Sequence, residues 1–124
     1  MNVGLIGTGF MGKAHVFGFA TAGRVFNLPC QFHMQMVADA TDALASAASQ
    51  SLGFSKHTSN WHDIINDPTI GLVNITAPNA LHKEIALAAI AAGKHVYCEK
   101  PLAPSAHDSL EMTEAAERAG VKTQ

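Results

Sequence analysis

With 124 residues, 48% of them apolar and 15% charged, the chain can build one packed core and is too short for two ordinary domains. A formal charge of −2 with no Lys/Arg block excludes the basic footprint of a nucleic-acid or anionic-membrane binder, which leaves a small molecule or another protein as partner. Cys30 and Cys98 lie far apart without metal-ligand spacing, so they read as free thiols of a reducing, cytoplasmic compartment.

The opening stretch, MNVGLIGTGFMGK, has no basic leader region and glycines break its apolar run, so it reads as neither signal peptide nor membrane span. Val3 to Ile6 is instead the first predicted strand. The GTGFMG that follows fits G-x-G-x-x-G at Gly7, Gly9 and Gly12, with Thr8, Phe10 and Met11 between them, and leads into a helical segment. Gly7 permits a tight turn, Gly9 lets a pyrophosphate approach the main chain, and Gly12 lets the helix pack close to its strand. The free N–H groups and positive dipole end of that helix suit phosphate. The alternative for such a motif alone is a glycine-rich turn that binds nothing.

Residues 22 to 33, AGRVFNLPCQFH, lengthen the first crossover and read as a surface excursion that turns at Pro29. Met34 to Ala38 is the second strand, and Asp39 at its end can accept both hydroxyls of an adenosine ribose. The excursion accounts for a separation from Gly7 greater than the usual spacing of about 20 residues. A 2′-phosphate would meet this carboxylate, and no Arg follows in DATDALA, so Asp39 favours NAD over NADP. Its alternative role is as N-cap of the next helix. The Ala-rich segment 40 to 52 reads as a sheet-covering helix, Ser55 to Thr58 as a weak strand, and Trp61 as the anchor of the loop after it, with cofactor contact as the lesser alternative.

Leu72 to Ile75 forms the next strand, followed by TAPNALH. Pro78 holds this loop extended, and Asn79 is placed to cap a helix running to Gly93, whose apolar positions Leu81, Ile85, Ala88, Ala89 and Ala92 recur at helical spacing. His82 falls on the first turn, facing either the cleft or solvent; its residue type and place alone favour an ordinary solvated histidine. His95 to Cys98 is the fifth strand, and it ends in Glu99, Lys100 and Pro101. Lys100 has two open readings, a surface amine paired with Glu99 or an acid/base whose amine is tuned by its surroundings. Ser105 and Asp108 make a capping-box-like pair before a helix that stops near Gly120, and Val121 is placed to open a further strand.

Alternating strands and helices predict an α/β fold, a doubly wound parallel sheet of the Rossmann type, with ligands bound beyond the carboxyl ends of the strands. Three strand ends, at Gly7, Thr76 and Glu99, should meet in one crevice. The seven histidines offer no i, i+4 pair and no nearby Cys partner, so no metal site is read from them. His15 reads as packing behind the glycine loop, and Cys98 beside the cleft carries no sign of reactivity beyond its position.

VGLIGTGFMGKAH, TAPNALHKEIALAAIAAGKHVYCEKPLA and the acid at Asp39 together resemble the N-terminal domain of the glucose-fructose oxidoreductase, inositol dehydrogenase and rhizopine-catabolism oxidoreductase family over nearly the whole chain. The resemblance implies hydride transfer between NAD(P) and a hydroxyl-bearing carbon of a sugar or cyclic polyol. It implies that Lys100 contacts the reacting hydroxyl and shares in its proton transfer, and that Glu99 helps place that lysine and the nicotinamide end. Thr76, Pro78, Asn79 and His82 match the loop that lines the cofactor.

Family members continue into an α/β substrate domain, so residues 1–124 are expected to be one dinucleotide-binding domain truncated in or near its last strand. Such a chain should hold cofactor without turnover. An apolar face toward the missing domain should invite self-association, hence a possible homo-oligomer. The competing functional class is a non-catalytic NAD-binding module that senses redox state or scaffolds a partner.

Overall fold

The apolar runs at 3–6 and 72–75 become strands buried on both faces, because helices cover the middle of the sheet from either side. The computed structural model describes residues 1–124. Strands β1 (Asn2–Ile6), β2 (His33–Ala38), β3 (Lys56–Thr58), β4 (Ile70–Ile75) and β5 (His95–Cys98) pair in the order β3-β2-β1-β4-β5, and every pairing is parallel. Helices α1 (Phe10–Phe26), α2 (Asp42–Leu52), α3 (His62–Asn66), α4 (His82–Ala91) and α5 (Ala106–Ala119) make the crossovers. The strand order reverses beside β1: the first crossovers run outward to β2 and β3, and the chain then returns to place β4 on the other side.

Leu5, Val37, Val73 and Ile75 have no exposed surface, and burial of each such side chain contributes about 2 kcal/mol. The larger core joins the sheet to α3, α4 and α5 through Ile64, Ile85, Ala89, Met112 and Ala116. The smaller one joins it to α1 and α2 through Val16 and Ala48. Of the 17 residues of α1 only Gly12 and Val16 are buried, and Phe10, Phe17, Val25 and Phe26 stand in solvent.

The termini of α2 and α5 follow the capping rules. Thr41 Oγ1 accepts from Leu44 N (3.3 Å), and Ser105 Oγ accepts from Asp108 N (3.1 Å) while donating to Asp108 Oδ2 (2.6 Å). Gly120 closes α5 in the left-handed region at φ 68°. Lys83 Nζ on α4 reaches both Asp108 Oδ1 and Glu111 Oε2 on α5 at 2.6 Å. This lysine, then Ser105, holds the Asp108 carboxyl below its ordinary value.

Two expectations are corrected. Residues 22 to 26 do not leave the helix: α1 continues to Phe26 and ends at Asn27, φ 47°, since one glycine inside a helix costs only about 1 kcal/mol and the first strong breaker is Pro29. The excursion shrinks to residues 27 to 32. Asn79 caps nothing; it opens a 3₁₀ turn, Asn79–Leu81, closed by Leu81 N donating to the Pro78 carbonyl (2.9 Å), and α4 begins only at His82. The alternative reading of Asp39 as a helix cap also falls, because Thr41 takes that place.

The strand expected from Val121 onward takes the form of a parallel bridge at Thr123. Val96 N donates to Lys122 O, Gln124 N to Val96 O, and Cys98 N to Gln124 O, all within 2.9 to 3.0 Å. Lys94, buried at the start of β5, donates from Nζ to the carbonyls of Asp67 and Ile70 at 2.8 Å each. Burial pushes its amine below the ordinary lysine value.

Candidate functional site

Parallel pairing puts all strand ends on one side of the sheet, and the hydrogen-bond ladder runs one residue past them. Asp39 N donates to Thr58 O, Gly7 N to Ala38 O, Thr76 N to Ile6 O and Glu99 N to Ile75 O, at 2.9 to 3.3 Å. Asp39, Gly7, Thr76 and Glu99 therefore form a row, each the first residue beyond its strand. Three strand spacings separate its ends, about 14 Å. An extended ligand laid across this row meets a carboxylate at one end, a glycine turn in the middle and Glu99-Lys100 at the other.

The glycine turn is shaped by two contacts and one vacancy of side chain. Gly7 has φ +96°, and a Cβ there would lie 2.7 Å from the main chain of Thr76 and Ala77. At Gly12 a Cβ would lie 2.4 Å from the Gly7 carbonyl oxygen, so both positions admit only glycine for internal reasons. Gly9 differs: a Cβ there would touch nothing within 4 Å. The chain's own packing makes no demand on Gly9, and its bare main chain faces open space at the N-terminus of α1. No side chain caps that terminus and no acid lies in its first turn, so its N–H groups are left for an anion. The donor set and the space fit a diphosphate.

Asp39 is held from within. Its Oδ2 accepts the Thr8 main-chain N–H (2.9 Å) and the Thr8 hydroxyl, and its Oδ1 accepts Ala40 N (2.6 Å). A carboxylate offers about four lone-pair positions, so three are filled. One acceptor position stays open as the site stands, and a second opens once the Thr8 hydroxyl rotates away. Thr8 thus acts on Asp39 through both its main-chain N–H and its hydroxyl. Beside Asp39 the groove is apolar, walled by Ala38, Trp61, Pro78 and Leu81. Trp61, expected mainly as a loop anchor with contact to a cofactor as the lesser reading, lines this groove and also stacks on His62 at 3.7 Å between ring centroids.

Thr76 Oγ1 donates to the Gly7 carbonyl (2.7 Å) and so ties the β4 end to the glycine turn. Pro78 and Asn79 are exposed at the rim, Met11 is half-buried, and Phe10 projects into solvent. The expectation that His82 faces cleft or solvent is wrong. His82 is 1% exposed, with Nε2 2.9 Å from Ala77 O and Nδ1 3.0 Å from Pro101 O. It fastens the loop after β4 to the turn after β5, and both contacts are hydrogen bonds only when both nitrogens carry protons, since carbonyls only accept.

At the far end, the Lys100 amine is exposed and has no partner in the chain, and the Lys100–Pro101 peptide is cis. Glu99 does not pair with that amine: its Oε2 accepts the Lys100 main-chain N–H (3.0 Å) and its Oε1 lies 3.3 Å from His15 Nε2. His15, read from the sequence as packing, thus reaches the site, and its Nδ1 lies 2.9 Å from Asn74 Oδ1. The signal that could have found this is Asn74 itself, a polar residue in the fully buried run of β4 that needs a partner from elsewhere.

Burial and then the Glu99 charge push the Cys98 thiol up to about 11, so at pH 8 it holds almost no thiolate. We expect iodoacetamide at that pH to modify Cys30, which is partly exposed, and to spare Cys98 until the chain is denatured. Mass spectrometry of the alkylated peptides checks this, and prompt native labelling of Cys98 would contradict its burial.

A family model described as oxidoreductase family, NAD-binding Rossmann fold, matches residues 1–124. A curated relative, levoglucosan dehydrogenase of Pseudarthrobacter phenanthrenivorans, is 47% identical over 116 residues, covering 93% of this chain and 30% of its own length. Among solved structures, an NAD binding oxidoreductase from Klebsiella pneumoniae superposes with a TM-score of 0.95 at 48% identity, over 99% of this chain and 33% of that one. A levoglucosan dehydrogenase in complex with NADH and levoglucosan does so with a TM-score of 0.95 at 43% identity, over 99% of this chain and 34% of that one. The chain spans about a third of the length of these proteins.

Proposed function

This chain belongs to the oxidoreductase family with an NAD-binding Rossmann fold, and from that premise we propose that it holds the coenzyme of a dehydrogenase acting on a hydroxyl-bearing carbon of a sugar or cyclic polyol. The observation that carries the reading is the row Asp39, Gly7, Thr76, Glu99 with the open main chain of Gly9 beside it. The adenosine ribose lies at Asp39 with adenine in the apolar groove by Trp61. The diphosphate rests on the N-terminus of α1, and the nicotinamide end reaches Glu99 and Lys100. The bound coenzyme supplies the hydride acceptor or donor.

The chain's own part is to bind, to orient and to move a proton. The glycine turn and α1 neutralise the diphosphate without a side-chain cation. Lys100, free of any partner, is the group that meets the substrate hydroxyl and shares its proton. A binding module that only reports redox state needs no unpaired amine at this end, so the dehydrogenase reading is preferred. The sugar-like substrate class is supported by the levoglucosan dehydrogenase relatives. Residues 1–124 contain the coenzyme half of the cleft, and exclusion of water around a substrate needs walls on both sides.

Asp39 makes NAD the preferred coenzyme, because a 2′-phosphate would face its carboxylate. Fluorescence titration of the chain is expected to show tighter binding of NADH than of NADPH. Asp39→Ser should weaken NADH about tenfold, the scale of one lost hydrogen bond to a charged group, with little loss for NADPH. Equal losses for the two coenzymes would remove Asp39 from the ribose site, and no binding of either at millimolar concentration would overturn the whole reading.

A further inference from the structure

His15 stands on α1 behind the glycine turn, and none of the roles assigned above includes it. Its side chain is 8% exposed and that of Glu99 15% exposed, so the contact between them is shielded from water. Nδ1 faces Asn74 Oδ1 at 2.9 Å, Nε2 faces Glu99 Oε1 at 3.3 Å, and the ring stacks on Tyr97 with centroids 4.7 Å apart and 20° between planes. Ring plane and ring rotation are both fixed, which simple packing does not require.

The hydrogen positions follow from the partners. A carboxylate only accepts, so Nε2 carries a hydrogen toward Glu99. Nδ1 then either donates to Asn74 Oδ1 in the doubly protonated ring, or accepts an N–H from Asn74 with its amide turned over, which would employ the Asn74 Nδ2 that otherwise has no partner. Both arrangements place the Nε2 hydrogen on the Glu99 side of the ring, where the 3.3 Å approach is a charge contact and not an aligned hydrogen bond. The other Glu99 oxygen takes the Lys100 main-chain N–H. Without His15, that carboxylate is free to turn to the amine of its sequence neighbour Lys100 and withdraw it from the crevice.

We propose that His15 is a positioning residue for the nicotinamide end of the crevice: it holds the Glu99 carboxylate, and through it the Lys100 turn, in register with the helix whose N-terminus receives the diphosphate. The inference rests on the reading of the crevice as a coenzyme site. One rigid helix then carries both the diphosphate seat and the support for the reacting end, so the two ends of the coenzyme share one frame.

The test compares NADH with ADP-ribose, which has the adenosine and diphosphate but no nicotinamide, by calorimetric titration of the 124-residue chain and its variants. His15→Phe keeps the stack on Tyr97 and removes both ring nitrogens; Glu99→Gln removes the charge that His15 holds. Each is expected to weaken NADH about tenfold and ADP-ribose less than twofold. The double variant should lose no more than either single one, because the two act as one unit. His15→Gln, which keeps an N–H donor, should recover part of the loss.

Parallel loss of ADP-ribose and NADH in His15→Phe would overturn the proposal and make His15 a packing residue of α1. Multiplying losses in the double variant would overturn it as well. If His15→Phe does not fold, Glu99→Gln in the parent and in His15→Gln gives the same comparison. A parent chain that binds neither ligand overturns the coenzyme reading itself, an outcome distinct from a parent that binds both and variants that behave alike.

Discussion

Gly12→Ala is expected to cost about 3 kcal/mol of folding stability, whereas Gly9→Ala is expected to cost well under 1 kcal/mol and still to lose most coenzyme binding. The two differ in what an added methyl would meet. At Gly12 it would lie 2.4 Å from the Gly7 carbonyl oxygen and 2.9 Å from Thr76 Oγ1. Main chain cannot step aside as a flexible side chain does, so α1 must move off its strand and the small core at Val16 opens. For a domain whose whole stability is of order 5 to 15 kcal/mol, that is a large share.

At Gly9 the methyl would meet nothing of the chain. It would stand in the space that a diphosphate needs, with loss of the main-chain N–H contacts that substitute for a side-chain cation. Urea unfolding and NADH titration on the two variants separate the effects. Gly9→Ala binding NADH as tightly as the parent would move the diphosphate elsewhere.

His82→Leu should be the second large effect, a destabilisation of about 3 kcal/mol. Leucine fills most of the volume but leaves the Ala77 and Pro101 carbonyls facing an apolar side chain, and both were partners of the buried ring. The ring joins the loop after β4, five residues before it, to the turn carrying Lys100, 19 residues after it. His82→Gln, with an amide that donates to one carbonyl, should recover about half. Urea midpoints of the three proteins decide it, and a midpoint unchanged in His82→Leu would show that the two loops are held by other contacts.

These expectations draw unequally on sequence and on structure. The alternation of short apolar runs with Ala-rich helices led correctly to a five-stranded parallel sheet, because a strand buried on both faces needs no amphipathic signal. Val3 to Ile6 and Leu72 to Ile75 look buried at first sight. Gly7 and Gly12 were likewise legible, since a tight turn and a close helix–strand approach each tolerate only one residue type. Ser105 with Asp108 worked for the same reason: capping is settled within four residues of chain.

His15, Asn74 and His82 show the other kind of information. A histidine on a helix has one of several surroundings, and no local periodicity says whether its ring meets water, a carboxylate or two carbonyls. Asn74 Oδ1 on β4 and Glu99 Oε1 just past β5 reach His15 from more than fifty residues away, and Pro101 O reaches His82 only after β5 is in place. Asp39 was recognisable as an acid at a strand end, yet that three of its acceptor positions are taken by Thr8 and Ala40 depends on how the turn after β1 lies against β2. Elements and turns are decided by short-range sterics and are written in neighbouring residues. The partners of buried polar groups come from chain far away, and only the packed sheet brings them within hydrogen-bond distance.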